Sequence, residues 1–165
     1  MKSGIFGIGN ELREDDGIGL AIVAKLKAIF FNDNVDLITV AGRLFEIPVL
    51  MRSYSRIVII DALPPDLEPG KVTVSRYENN NFLFPQRYSL HDLDLLWQLQ
   101  DAFRSGFKGE ILLIGIEAGS LSYKEGLSLG LGNSLPDITL KVVNVIREFC
   151  GLIKGVAIPI DKAFK

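Results

Sequence analysis

Apolar and polar residues alternate along the chain in two rhythms, and the changes between them mark out strands and helices. Ile5–Gly9 is short, apolar and closed by glycine, which predicts a buried strand. Downstream, Ile18, Ile22, Leu26 and Ile29 recur at helical spacing, and Asp15 or Asp16 stands where a helix cap belongs. Val35–Ala41 reads as a second strand and Phe45–Arg52 as a short helix. Arg56–Asp61 runs Arg-Ile-Val-Ile-Ile-Asp, a buried strand ending on an acid. Pro64, Pro65, Pro69 and Gly70 then punctuate a loop. In Lys71–Tyr77, Val72 and Val74 alternate with polar residues, the pattern of an edge strand or of one arm of a hairpin. Glu78 opens a polar loop through Asn79, Asn80 and Asn81.

Leu90–Phe103 has helical spacing, with Leu93, Leu96, Trp97 and Phe103 as its expected buried side. Glu110–Ile116 is a further apolar strand. Residues 118–134, rich in glycine and serine, predict a long loop. The last helix is expected from Leu135 to Cys150, where Ser134 and Asp137 resemble a capping box and Pro136 falls in the first turn. Its core stripe is Ile138, Val142, Val145 and Phe149. The tail carries one short apolar patch, Val156–Ile160.

Strands alternating with helices predict an α/β fold: one domain over residues 1–165, in three layers, with helices on both faces of an open, mostly parallel twisted sheet. The strands near residues 4–9, 35–41, 56–61 and 110–116 should share that sheet. In such sheets functional sites gather beyond the carboxyl ends of the strands.

Composition narrows the choice of partners. The chain has 165 residues, 48% of them hydrophobic and 23% charged, which suits one globular unit with a sizeable core. A formal net charge of -2 gives no electrostatic reason to expect nucleic acid or an anionic membrane. No apolar run is long enough to span a bilayer, and the N-terminus lacks the pattern of a signal peptide. The single cysteine, Cys150, has no partner for an internal disulfide. These features point to a cytoplasmic protein.

Three polar sites follow strands or begin helices. The first is Gly7-Ile8-Gly9-Asn10-Glu11-Leu12-Arg13-Glu14-Asp15-Asp16-Gly17-Ile18-Gly19. Leu12 stands where a dinucleotide loop would need its third glycine, so that reading fails. Asp15 and Asp16 suit helix caps or cleft carboxylates, and one residue can be both. The second site, Asp61, fits a cleft carboxylate or the cap of the turn into Ala62-Leu63-Pro64-Pro65. The third is Ser89-Leu90-His91, which holds the only histidine of the chain. Two carboxylates and one imidazole from separate loops form a divalent-metal set with open positions, suited to nickel, zinc or cadmium. With neither a second histidine nor a thiolate nearby, such a site is weak and would take a metal brought by a substrate. Nucleophile readings do worse. Cys150 lies in a helix far from His91, and Ser89 lacks the Gly-x-Ser-x-Gly elbow.

In order and spacing, these motifs resemble the hydrogenase maturation proteases. Gly7-Ile8-Gly9-Asn10-x-Leu12-x-x-Asp15-Asp16-Gly17-x-Gly19 is similar to their N-terminal signature. Asp61 and Ser89-x-His91 match the second and third signature positions. Gly115-Ile116-Glu117 and Gly126-Leu127-Ser128 resemble their C-terminal pattern. The resemblance implies an endopeptidase that cuts a C-terminal extension from the large-subunit precursor of a nickel-iron hydrogenase, once nickel has been inserted. It implies Asp16, Asp61 and His91 as metal-contacting and catalytic residues, with Asp15 and Asn10 as further motif positions. Two departures stand out: Ala118 follows Glu117 where the family often has proline, and Leu129-Gly130-Leu131-Gly132 is glycine-rich where relatives look helical. Two other functions fit the same residues. One is a non-catalytic chaperone for the precursor, the other a general metal-dependent hydrolase with an ion of its own.

Overall fold

The computed structural model describes residues 2–30, 34–65, 68–78, 81–82 and 90–152. In chain order the elements are β1 (Ser3–Gly9), α1 (Ile18–Ile29), β2 (Val35–Ala41), α2 (Ile47–Met51), β3 (Arg56–Leu63), β4 (Val72–Glu78), β5 (Asn81–Phe82), α3 (Leu90–Arg104), β6 (Glu110–Glu117) and α4 (Leu129–Cys150). Short 3-10 turns precede α1 at Glu14–Gly17 and α2 at Leu44–Glu46.

All six strands form one sheet, in the order β2-β1-β3-β6-β4-β5. The four expected strands, β2, β1, β3 and β6, run parallel. β4 is antiparallel to β6, and β5 folds back on β4. Lys71–Tyr77 therefore belongs to a hairpin arm paired on both sides, and part of the expected loop at Asn81 is strand.

Side-chain alternation along β3 shows why the sheet needs cover on both faces. Val58, Ile60 and Ala62 point to one face, where Ile18, Ile22, Val23 and Leu26 of α1 meet Ile138, Val142, Ile146 and Phe149 of α4. Ile57 and Ile59 point to the other, against Ile47 and Met51 of α2 and Leu95, Leu99 and Ala102 of α3. The three-layer α/β architecture follows from this double burial.

Several local expectations are corrected. Neither Asp15 nor Asp16 caps α1; Gly17 holds the N-cap position, and no side chain bonds there. Trp97 is not core but 62% exposed. α3 buries Leu95, Leu99 and Ala102, spaced by four and three residues, so Trp97, two residues from each leucine, falls on the opposite side. Ile29, at the end of α1, is 39% exposed.

The last helix begins at Leu129 rather than Leu135, and its cap is Ser128 rather than Ser134. The Ser128 hydroxyl accepts from the Leu131 amide at 3.4 Å. Leu131 is buried and extends the Ile138 and Val142 stripe back by one heptad. That burial outweighs the poor helix propensity of Gly130 and Gly132 and leaves Pro136 inside the helix, at the cost of one backbone hydrogen bond.

At the amino end of the sheet, Lys2 pairs with Asp36 at 2.6 Å, and the Tyr54 hydroxyl donates to the same carboxylate at 2.7 Å. These partners, Lys2 first, hold the Asp36 carboxyl below its ordinary value. Burial, and then the bond to Asp36, push the Tyr54 phenol from 10.0 up to about 12. A raised phenol favours the folded state while it stays protonated, so its stabilisation is complete below pH 10 and is lost as pH rises through about 12. In a spectroscopic titration Tyr54 should ionise at about 12, above the ordinary 10.0. Tyr54→Phe should remove that step and flatten the alkaline loss of stability; an unchanged titration curve would contradict this.

Candidate active site

The strand order fixes where a cleft can open. From β1 the chain moves to β2 on one side, and it later returns to β3 on the other. The carboxyl ends of β1 and β3 therefore flank the point where the winding reverses, and a crevice opens there. Asp16 and Asp61 both lie at this place.

Close backbone packing sets Asp16. A Cβ at Gly9, whose φ is +148°, would overlap the Asp16 carbonyl oxygen. At Gly19 a Cβ would overlap the carbonyl oxygens of both Ile8 and Ile60. Two glycines thus let the turn and the first residues of α1 settle directly on β1 and β3, with Glu14–Gly17 in contact with both strands. Asp16 is half-buried there, and its amide donates to the Arg13 carbonyl at 3.1 Å.

Asp61 lies inside β3, whose pairing with β6 runs on to Leu63. By alternation it shares the face of Ile57 and Ile59, the side covered by α2 and α3. It is half-buried, and one carboxylate oxygen accepts from the Ala62 amide at 2.8 Å. α3 ends at Arg104, shortly before β6 sets out from the amino end of the sheet. The helix therefore runs opposite to the parallel strands, and its start at Leu90-His91 lies at the end occupied by Asp16 and Asp61. The His91 side chain, and with it the completion of the three-residue set, lies outside the described residues. So does Ser89.

Asp15, whose part in the signature the sequence leaves open, is 0% exposed and satisfied by one loop. Its Oδ2 accepts from the Gly119 amide at 2.8 Å, the Ser120 amide at 3.0 Å and the Ser128 hydroxyl at 2.8 Å. Its Oδ1 accepts from the Ser128 amide at 2.8 Å. Glu14, also buried, accepts from the Ser120 hydroxyl and pairs with Lys124 at 3.6 Å. Glu14 has φ +44°, a strained conformation for a non-glycine residue. Asn10 closes its own turn, its Oδ1 accepting from the Leu12 amide at 3.0 Å. Sequence reasoning missed the tie between Asp15 and Ser128, because their 113-residue separation leaves no periodic signal.

Cys150 is at the far end of the molecule. Its thiol lies by Ser3 and Arg56, at the amino ends of β1 and β3, and burial pushes its pKa up. A protonated thiol remote from the crevice is a poor nucleophile. Cys150→Ala should leave catalysis unchanged and cost at most about 1 kcal/mol of stability. Rate and urea-denaturation measurements check this; a folded but inactive Cys150→Ala protein would contradict any site at the crevice.

No helix among the described residues is long and apolar enough to cross a membrane.

Comparison with known proteins agrees with this fold. The family model described as hydrogenase maturation protease matches residues 20–145. The hydrogenase 2 maturation protease of Escherichia coli is 27% identical over 153 residues, covering 90% of this chain and 92% of its own. Among solved structures, the hydrogenase maturating endopeptidase HybD of E. coli superposes with a TM-score of 0.71 at 24% identity, over 90% of this chain and 93% of its own. The [NiFe] hydrogenase maturation protease HybD of Thermococcus kodakarensis gives 0.62 at 25% identity, over 88% of this chain and 99% of its own.

Proposed function

The chain belongs to the hydrogenase maturation protease family, and from that premise we propose that it is the endopeptidase that removes the C-terminal extension of a nickel-loaded nickel-iron hydrogenase large-subunit precursor. What supports this reading is topology: Asp16 follows β1 and Asp61 lies near the carboxyl end of β3, the two strands that flank the winding reversal, and the helix bearing His91 starts at the same end of the sheet.

The nickel belongs to the substrate. Asp16, Asp61 and His91 offer two carboxylate donors and one imidazole, a set that suits nickel and also zinc or cadmium. By completing the coordination of the precursor's nickel, these residues hold the nearby scissile bond in register. The metal's charge polarises the site, and the carboxylates beside it help a water attack the peptide carbonyl. An enzyme that depends on metal in its substrate leaves a nickel-free precursor intact, so cutting follows metal insertion. The sequence features that point to a cytoplasmic protein make the cytoplasm the proposed place for this chemistry.

Incubating the full chain with tailed precursor and weighing the products tests the proposal. The expected result is loss of the tail from nickel-loaded precursor only. Stable binding without cleavage would favour a chaperone. Equal cleavage of both forms, together with an ion that copurifies with the enzyme, would favour a general metal-dependent hydrolase. Either result overturns the reading.

A further inference from the structure

Adjacent in sequence, Asp15 and Asp16 have opposite surroundings. Asp16 is half-buried at the crevice; Asp15 is wholly buried and receives four hydrogen bonds from the segment between Gly119 and Ser128. The same segment is stitched to the turn through its backbone. The Glu14 amide donates to the Lys124 carbonyl at 2.8 Å, the Asp15 amide to the Ser120 carbonyl at 3.2 Å, and the Gly126 amide to the Glu11 carbonyl at 3.3 Å. An isolated β-bridge joins Arg13 and Lys124, and the Arg13 guanidinium lies 5.5 Å from the centre of the Tyr123 ring.

We propose that Asp15 is a positioning residue of the reaction: by locking residues 119–128 onto the Glu14–Gly17 turn, it fixes the direction in which Asp16 presents its carboxylate to the metal. This rests on the metal-contacting reading of Asp16. The physical case is one of constraint from two sides. Beneath the turn, Gly9 lets the Asp16 carbonyl pack against β1, with no room for a Cβ. Above it, the Asp15 carboxylate is held by three amides and a hydroxyl, bonds that are short and strong because the acceptor is charged and dry. The peptide joining Asp15 to Asp16 is therefore fixed at both ends, including the strained φ of +44° at Glu14, which the loop contacts hold in place. A metal ligand must be set to within about half an ångström to bind well. The loop supplies that setting from outside the metal's own shell, as hydrogen-bonded neighbours of metal ligands do elsewhere.

Asparagine at position 15 tests this with little change in size. An amide has one acceptor oxygen and one NH2, so it must turn donors toward either the Ser128 amide or the other three donors. The expected result for Asp15→Asn is a zinc Kd, measured by calorimetry with zinc alone, raised about tenfold or more. Turnover of nickel-loaded precursor at saturating concentration should fall by a similar factor, a loss in kcat, because what is disturbed is the aim of a ligand at the reacting centre. Should Asp15→Asn fail to fold, the pair Ser128→Ala and Ser128→Thr decides instead. Alanine removes one of the four bonds and should raise the zinc Kd about threefold or more, and threonine should restore it. A folded Asp15→Asn protein, or a Ser128→Ala protein, with the zinc Kd and turnover of the unmodified chain overturns the proposal. Asp16→Asn measured alongside separates the two ideas. If it loses zinc and activity while Asp15→Asn does not, only the positioning role falls. If it keeps both, the metal-site reading itself falls.

Discussion

Asp16→Asn, Asp61→Asn and His91→Ala should each slow processing of nickel-loaded precursor by about 100-fold or more, since each removes a charge or donor at the reacting centre. The two asparagine proteins should remain folded. Asp16 and Asp61 are half-buried rather than core residues, and an asparagine oxygen at position 61 still accepts from the Ala62 amide. The loss should appear in turnover, with circular dichroism and melting temperature close to those of the unmodified protein. Processing at the original rate by any one folded variant would remove that residue from the site. If all three remained active, the crevice itself would be the wrong place.

Gly19→Ala should be severely damaging for so small a change, costing about 4 kcal/mol or more, at the high end for single substitutions. Alanine is the better helix former, so propensity alone predicts a gain of roughly 1 kcal/mol. The sign reverses because the added methyl would meet the carbonyl oxygens of Ile8 and Ile60 at once, one on β1 and one on β3. Neither strand can yield, since each is paired on both sides within the sheet. α1 would have to lift from the layer where Ile18, Ile22 and Leu26 are buried, and the turn bearing Asp16 would lift with it. A urea-denaturation midpoint for Gly19→Ala within experimental error of the unmodified protein would refute this close packing.

The strands were legible because their signals are local. Ile5–Gly9, Val35–Ala41, Arg56–Asp61 and Glu110–Ile116 are short apolar runs, and all four join one parallel group. The errors fall where distant contacts override a local pattern. Ser134-Leu135-Pro136-Asp137 looks like a helix start, yet burial of Leu131 and the tie from Ser128 to Asp15 begin the helix six residues earlier. Trp97 looks like core by helical spacing, but the side of α3 that is buried carries Leu95, Leu99 and Ala102. At the site, acid after strand marked Asp61, and a glycine-rich signature marked Asp16. Nothing local distinguishes Asp15 from Asp16: both are aspartates before a helix, and only the fold gives one of them four internal donors.

Those donors also bear on how the protein is made. Asp15 is bonded to residues 104 to 113 positions further along the chain, so the full set of contacts cannot form until synthesis has passed Ser128. At roughly 5–20 residues per second, Asp16 and Asp61 leave the ribosome several seconds before Ser128 does. Closing so long a loop carries an entropic cost that local pairings avoid, which favours β1, β2 and β3 as the earlier partners. A nascent or prematurely terminated chain would then hold both acids on a half-built sheet, without the fastening that aims one of them. The order of synthesis therefore leaves the turn bearing Asp16 unfastened until Ser128 has been made.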